Sequence, residues 1–209
     1  MAETFSSQLQ LMTYREFPSA ELIDQVIRVQ SQHIIQAQDH PNAPKESARG
    51  FLLKAYDPGT FLSLFQMGGT LTVALGSEQQ VLGYVTGTPG VTFRPRHPET
   101  RVVWEDAQPS DWKRSAFEAG RFRYLDQIAV DSTSAVRGVA QALVQTFLRE
   151  TGSEPVFTAV VQHPVENLRS TQFFVRQGFS AAGQLRTPKL GNLEDVRATL
   201  FHRDGATAL

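Results

Sequence analysis

Apolar and polar positions alternate along this chain in short runs that predict one continuous series of strands and amphipathic helices. Leu11 to Phe17 predicts a first strand. Pro18-Ser19 then opens a helix, with Ser19 as N-cap and Glu21 in the positive first turn. Leu22, Ile23, Val26, Ile27, Ile34 and Ile35 supply its apolar stripe. Asp39 to Pro44 breaks that helix. A second helical region is expected from Glu46 to Gln66, interrupted at Asp57-Pro58-Gly59. Thr70 to Leu75 and Val81 to Thr86 flank the turn Gly76 to Gln79 and predict a hairpin.

Residues 89–120 form a long connection carrying Arg94, Arg96, His97, Arg101, Trp104 and Trp112. A connection of that length is usually functional or partly structured. Arg123 to Val130 predicts another strand. From Gly138 the period changes. Ala140, Leu143, Val144, Phe147 and Leu148 keep the i, i+3, i+4, i+7, i+8 spacing of a buried helix face. Val156 to Val161 is wholly apolar, as suits a central strand covered on both sides. A helix from about Glu166 to Arg176 ends at Gly178, and Phe179 to Leu185 with Asp195 to His202 predict a closing antiparallel pair. The order β-α-α-β-β-β-α-β-α-β-β implies a mixed sheet flanked by helices in a single domain, residues 11–204. Residues 1–10 are expected to be a loose N-terminus and residues 205–209 a tail.

Composition narrows the function classes. Of 209 residues, 41% are hydrophobic and 20% charged, enough apolar material for a sizeable core. The formal charge is −1, with no block of one sign, which argues against nucleic acid or an anionic membrane as partner. With no cysteine there is no disulfide, thiolate zinc site or cysteine nucleophile. His33 and His40 lack metal-ligand spacing, so no metal is expected. Met1 to Gln10 has neither a basic start nor an apolar run, and no stretch approaches membrane-spanning length, so a cytoplasmic location is expected.

The informative stretch is Tyr124-Leu125-Asp126-Gln127-Ile128-Ala129-Val130-Asp131, a loop from Ser132 to Ala135, then Val136-Arg137-Gly138-Val139-Ala140-Gln141-Ala142-Leu143. A strand runs into a loop that opens a helix. Amides there have no intrahelical partner and sit at the positive end of the helix dipole, which suits an anion. Gly138 removes a side chain where a phosphate would approach backbone, and Ala140 keeps the next turn small. The stretch is not a P-loop or a dinucleotide fingerprint, since neither a Gly-Lys-Ser/Thr nor the three-glycine spacing is present. A second segment, Asn167-Leu168-Arg169-Ser170-Thr171-Gln172-Phe173-Phe174-Val175-Arg176-Gln177-Gly178-Phe179, follows the apolar strand.

Together the two segments, about residues 120–180, resemble the GCN5-related N-acetyltransferase (GNAT) superfamily. The resemblance implies an α/β (α+β) acyl-CoA N-acyltransferase fold: a mixed, mostly antiparallel sheet of about 6–7 strands flanked by helices, with splayed central strands. It implies acetyl-CoA as acyl donor. The pantetheine arm would pair with backbone near Ile128 and Val130, an amide near Ile128 or Ala129 would polarise the thioester oxygen, and the pyrophosphate would lie on the amides of Val136, Arg137, Gly138, Val139 and Ala140. Asn167 would bond the pantetheine arm, Ser170 and Phe174 would line it, and Phe173 would pack the helix on the sheet. Asp126 would take the proton of an amine acceptor, a small molecule or a peptide. Trp104 and Trp112 would line the acceptor cleft or else anchor the long connection, and the chain would be a monomer or homodimer.

Two positions depart from the family pattern. Its Gln/Arg, three before the glycine, is Ala135 here, a lost phosphate contact worth about tenfold in affinity, ~1.4 kcal/mol. The family tyrosine that protonates the leaving thiolate is Phe174, which has no proton to give, so water, Tyr124, Ser170 or His163 is left for that role. These departures keep open a non-catalytic acyl-CoA-binding or regulatory module of the same fold.

Overall fold

A computed structural model describes residues 9–35, 50–104, 111–190 and 193–205. The first strand, β1 (Gln10–Tyr14), leads to helix α1 (Ala20–Ser31), which Ser19 caps as expected, its Oγ accepting from the Leu22 amide at 3.3 Å. Ile23, Val26 and Val29 on α1 are buried, and so is the polar Gln30. Ile34 and Ile35 lie beyond the helix, and Ile34 forms an isolated bridge with Leu52. His40 and residues 46–49 lie outside the described residues.

The second helical region is shorter than its sequence suggested. Helix α2 is Pro58–Gln66 only, and Asp57-Pro58-Gly59 starts it rather than interrupting it. The reason is local. Asp57 caps the Thr60 amide at 2.7 Å, and Pro58 sits in the first turn, where its missing N–H costs nothing.

The expected hairpin is β2 (Thr70–Leu75) and β3 (Val81–Pro89). The long connection contains a 3-10 turn (Gly90–Thr92), the one-turn helix α3 (Phe93–Arg96), strand β4 (Arg101–Trp104) and helix α4 (Asp111–Glu118). Then come β5 (Arg123–Val130), α5 (Val139–Thr151), β6 (Val156–His163), α6 (Leu168–Arg176), β7 (Ser180–Leu190) and β8 (Leu193–Arg203). They form one sheet of eight strands in the order β1-β2-β3-β5-β6-β8-β7-β4. The additional strand is β4, which pairs antiparallel with β7 at the sheet edge. The sheet is antiparallel throughout except between β5 and β6. Among the described residues no helix is long and apolar enough to cross a membrane.

Three of the four hydrophobic clusters among the described residues hold the helices and the long connection on the sheet. On one face α1 and α2 bury Val26, Phe61 and Leu64 against Leu71, Val73 and Tyr84. On another, α5 buries Leu143, Val144 and Phe147 against Val85, Leu125 and Val160. Each of these α5 side chains is at most 2% exposed, worth about 1.5–3 kcal/mol apiece. Its helix sits close because Gly87 has no Cβ; one added there would lie 2.2 Å from the Phe147 ring. The third cluster joins Phe93, Phe117 and Phe122 to Tyr124, Phe157 and Leu200. Phe117 and Phe122 stack at 4.8 Å, so the long connection is folded onto β5 and β6 by aromatic packing.

Candidate functional site

Strands β5 and β6 run parallel from Arg123 and Val156, where the Arg123 amide donates to the Pro155 carbonyl at 2.9 Å. They pair only as far as Leu125 and Thr158. Beyond that, β5 stays on β3 while β6 stays on β8, and the two part. A bulge marks the point of parting. Thr86 and Gly87 of β3 face Gln127 and Leu125, which leaves Asp126 as the extra residue of β5. Bulges bend the strand that carries them and re-aim its side chains.

Alternation then decides which amides face the gap. Gln127 donates to the Thr86 hydroxyl and Asp131 to the Leu82 carbonyl, both toward β3. Ile128 and Val130 therefore present their amides to the open edge, whereas Ala129 faces β3. Of the two amides expected near a thioester oxygen, that of Ala129 is thus turned away from the gap and that of Ile128 toward it. The Val130 carbonyl already accepts from His33 Nε2 at 2.7 Å, leaving its amide for a ligand.

Past Val130, the Gln32 side chain holds the loop by accepting from both the amide and the hydroxyl of Ser132 at 2.8 Å. Asp131 turns it by accepting from the Thr133 amide at 2.9 Å. The Val136 amide, unlike the others expected in an anion cradle, donates inside the loop to the Ser134 hydroxyl at 3.2 Å. Gly138 caps α5 with φ +80°, a left-handed conformation that disfavours any Cβ, and no side chain caps the helix. Ala142 is the first residue to donate back into this turn, to the Gly138 carbonyl. Among the described residues, the amides of Arg137, Gly138, Val139 and Ala140 have no acceptor. A Cβ built at Gly138 would meet nothing within 4 Å. Open backbone at a helix N-terminus suits a diphosphate, so the local geometry fits that part of coenzyme A.

The gap between the strands opens into a cleft of about 170 Å³. Ile128, Thr158, Val160, Asn167, Ser170 and Phe174 line one part; Tyr56, Phe93, His97, Tyr124, Asp126 and Leu185 line another. Asn167 caps α6, its Oδ1 accepting from the Ser170 amide at 3.2 Å, while its Nδ2 donates to the Phe51 carbonyl at 2.9 Å. Its capping role is therefore realised, and its side chain is engaged within the protein. Phe174 is 3% exposed and packs edge-on against Phe173 and Phe179.

Asp126 is not a free carboxylate. Its Oδ2 accepts from the Tyr56 hydroxyl and lies 2.7 Å from Arg96 Nη2, in an ion pair whose side chains are 14% and 11% exposed. Arg96 also donates to the Tyr56 hydroxyl at 2.6 Å and to Thr88 Oγ1 at 3.3 Å. Tyr56 is held in turn by buried Gln30, which donates to its carbonyl and accepts from its amide, both at 2.9 Å. Burial, reinforced by the Asp126 charge, raises the Tyr56 phenol far above its ordinary value. Burial pulls the Arg96 guanidinium downward, but Asp126 and Tyr56 more than offset it and the net shift is upward. Tyr56 and Arg96 come from segments with no recognisable motif, and only the fold brings them to Asp126.

Tyr124 is buried and lines the cleft. Burial, with the Asp126 charge adding to it, raises that phenol strongly, so it stays protonated. The two tryptophans do not line the cleft. Trp104 packs edge-on against Phe117 at 5.7 Å, and Trp112 lies 44% exposed beside His202. Both anchor the long connection to the β7–β8 side of the sheet, the alternative open for them from the start. His163 is half exposed, 3.9 Å from Asp195.

No family model and no curated protein matches this chain. Solved structures do resemble it. Ard1 from Thermoplasma volcanium superposes with a TM-score of 0.57 at 16% identity, covering 95% of this chain and 99% of that one. An N-acetyltransferase from Staphylococcus aureus gives 0.56 at 15% identity, over 94% and 99% of the two chains. An acetyltransferase of the GNAT family from Bacillus cereus gives 0.51 at 12% identity, over 95% and 99%. At such identities the likeness is one of fold, and it is a likeness to solved N-acetyltransferases, one of them of the GNAT family.

Proposed function

We propose that this protein transfers an acetyl group from acetyl-CoA to an amine of a small molecule or peptide, by direct attack with both reactants bound. One observation carries the reading: β5 and β6 part at Leu125 and Thr158, and the gap links an open helix N-terminus to a cleft lined by ionisable side chains. A bound diphosphate would lie on the amides of Arg137, Gly138, Val139 and Ala140. The amides of Ile128 and Val130 would hold the pantetheine arm, and Ser170 and Phe174 would flank it. Acetyl-CoA supplies an activated carbonyl and a thiolate leaving group; the protein aligns, polarises and moves protons.

The Ile128 amide is the donor that would polarise the thioester oxygen, a contribution usually worth about 2.7–4 kcal/mol in such sites. Tyr124 holds its phenolic proton at the cleft wall and can return it to the departing sulfur, the role Phe174 cannot fill. Asp126 keeps Arg96 and Tyr56 in place and adds a negative charge beside the incoming ammonium. Juxtaposition of the two reactants supplies the rest.

The test is free-thiol release from acetyl-CoA in the presence of an amine panel, alongside acetyl-CoA affinity by calorimetry. Amine-dependent release supports the reading. Binding of acetyl-CoA with no amine accelerating release would leave a non-catalytic acyl-CoA-binding module, which the closed Asp126 cluster and the engaged Asn167 side chain favour.

A further inference from the structure

We infer that the imidazole of His97 takes the proton from the acceptor amine, an assignment that rests on the acyl-transfer reading above. His97 ends α3, its amide donating to the Phe93 carbonyl at 2.9 Å. The ring lies over Phe93 at 4.9 Å and faces Tyr124 at 6.4 Å, and it lines the cleft. Among the described residues, His97 Nε2 is the one buried side-chain nitrogen or oxygen without a hydrogen bond.

Buried polar atoms are paired in the great majority of cases, and an unpaired one needs an explanation. The rings of Phe93 and Tyr124 pack against the imidazole, and the cleft that His97 lines is the side from which a ligand would approach. An ammonium or amine is a donor of the right kind. Among the described residues, Asp126 and His97 are the two cleft-lining side chains that carry a carboxylate or an imidazole, and Asp126 Oδ2 is taken by Arg96 and Tyr56. His97 is the base that remains.

The groups facing His97 keep it neutral. Burial is the main influence and lowers its pKa; Asp126 on β5 opposes this, while Arg96 on α3 and Lys54 ahead of α2 reinforce it, and the net shift is downward. A neutral imidazole at neutral pH can accept a proton.

The balance is as follows. The ammonium gives one proton to His97 Nε2 and becomes a neutral amine. Its nitrogen bonds the thioester carbonyl carbon, and the C–S bond breaks. As the amide forms, the second nitrogen proton passes to the Tyr124 oxygen while the Tyr124 hydroxyl proton passes to the sulfur, so Tyr124 ends as it began. His97 then releases its proton to water. The products are an amide, a free thiol and one proton.

The test uses the full chain with acetyl-CoA and three amine probes: spermidine, phenethylamine and a tetrapeptide with a free N-terminus. For the best probe, wild-type kcat/KM should fall on the acid side with an apparent pKa below 6.5. His97→Gln should lower kcat roughly 10²–10⁴-fold and lose that acid limb, with acetyl-CoA affinity unchanged. Added imidazole should partly restore turnover in His97→Ala, which a purely structural role would not produce. Independently of turnover, the His97 side-chain nitrogen resonances of the protein saturated with acetyl-CoA should shift when that probe is added. His97→Gln and His97→Asn variants that melt like wild type and keep its rate and acid limb would overturn the assignment while acyl transfer stands. A wild type that binds acetyl-CoA and acylates none of the probes would instead bring down the acyl-transfer reading, and this assignment with it.

Discussion

Arg96 Nη2 lies 2.7 Å from Asp126 Oδ2, and this ion pair ties the long connection to the bulge where the central strands part. Both side chains are nearly buried. Removing one partner of such a pair leaves an uncompensated charge, a far larger effect than the pair's net contribution to stability.

Asp126→Asn is therefore expected to destabilise the fold by about 3 kcal/mol in denaturant unfolding. It should lower turnover at neutral pH and leave acetyl-CoA affinity nearly unchanged, because the diphosphate amides lie elsewhere. Adding Arg96→Met should recover part of the stability but not the turnover. Wild-type turnover in Asp126→Asn would remove this carboxylate from the mechanism.

Gly138→Val tests the anion cradle. Two effects act together there: a β-branched residue is strained at φ +80°, and its side chain would occupy open space beside the free amides. Calorimetry should show coenzyme A affinity falling by at least about tenfold, ~1.4 kcal/mol. Undiminished affinity would mean that the diphosphate binds elsewhere.

Tyr124→Phe removes the hydroxyl of a buried, cleft-lining side chain and keeps its ring. Its stability should stay within about 0.5 kcal/mol of wild type, since the ring and its packing on Phe93 are kept. Turnover should drop roughly 10²-fold, the lower end of general acid contributions. Full turnover would assign the leaving-group proton to water.

Acid should weaken the fold through buried imidazoles. His97 and His202 are both held below 6.5 mainly by burial, with Lys113 adding to the effect at His202. Below 6.5 the unfolded chain binds more protons than the folded one, so this stability is complete above 6.5 and is lost as pH falls through the folded values. Melting temperature should drop as pH falls below about 6.5, and His202→Gln should make that drop shallower. A flat profile would contradict the burial argument.

Trp104→Ala separates anchoring from acceptor binding. Trp104 packs on Phe117, within the aromatic cluster that seats the long connection. The change should cost about 2–3 kcal/mol and leave the KM for an amine probe unaltered. A raised KM with unchanged stability would return Trp104 to the acceptor site.

Local signals were enough for much of this protein. The caps at Ser19 and Asn167, the apolar face of α5 and the left-handed turn at Gly178 depend on neighbours a few residues away, and periodicity exposes them. The same holds for Gly138 at the opening of α5, where loop and helix are adjacent in sequence. Asp57-Pro58 was legible by the same chemistry, but a Pro inside a long helical pattern reads equally as a break. Only the tertiary structure decided the rest. Whether Asp126 is free or paired depends on Tyr56, 70 positions away, and on Arg96 from the connection. Whether Ala129 or Ile128 faces the gap depends on a one-residue bulge, and strand alternation converts that shift into a reversal of direction. His97 acquires its unpaired nitrogen only once Phe93 and Tyr124 close around it. Short-range order follows the backbone's own preferences, whereas burial and charge pairing arise between segments whose approach no local pattern encodes.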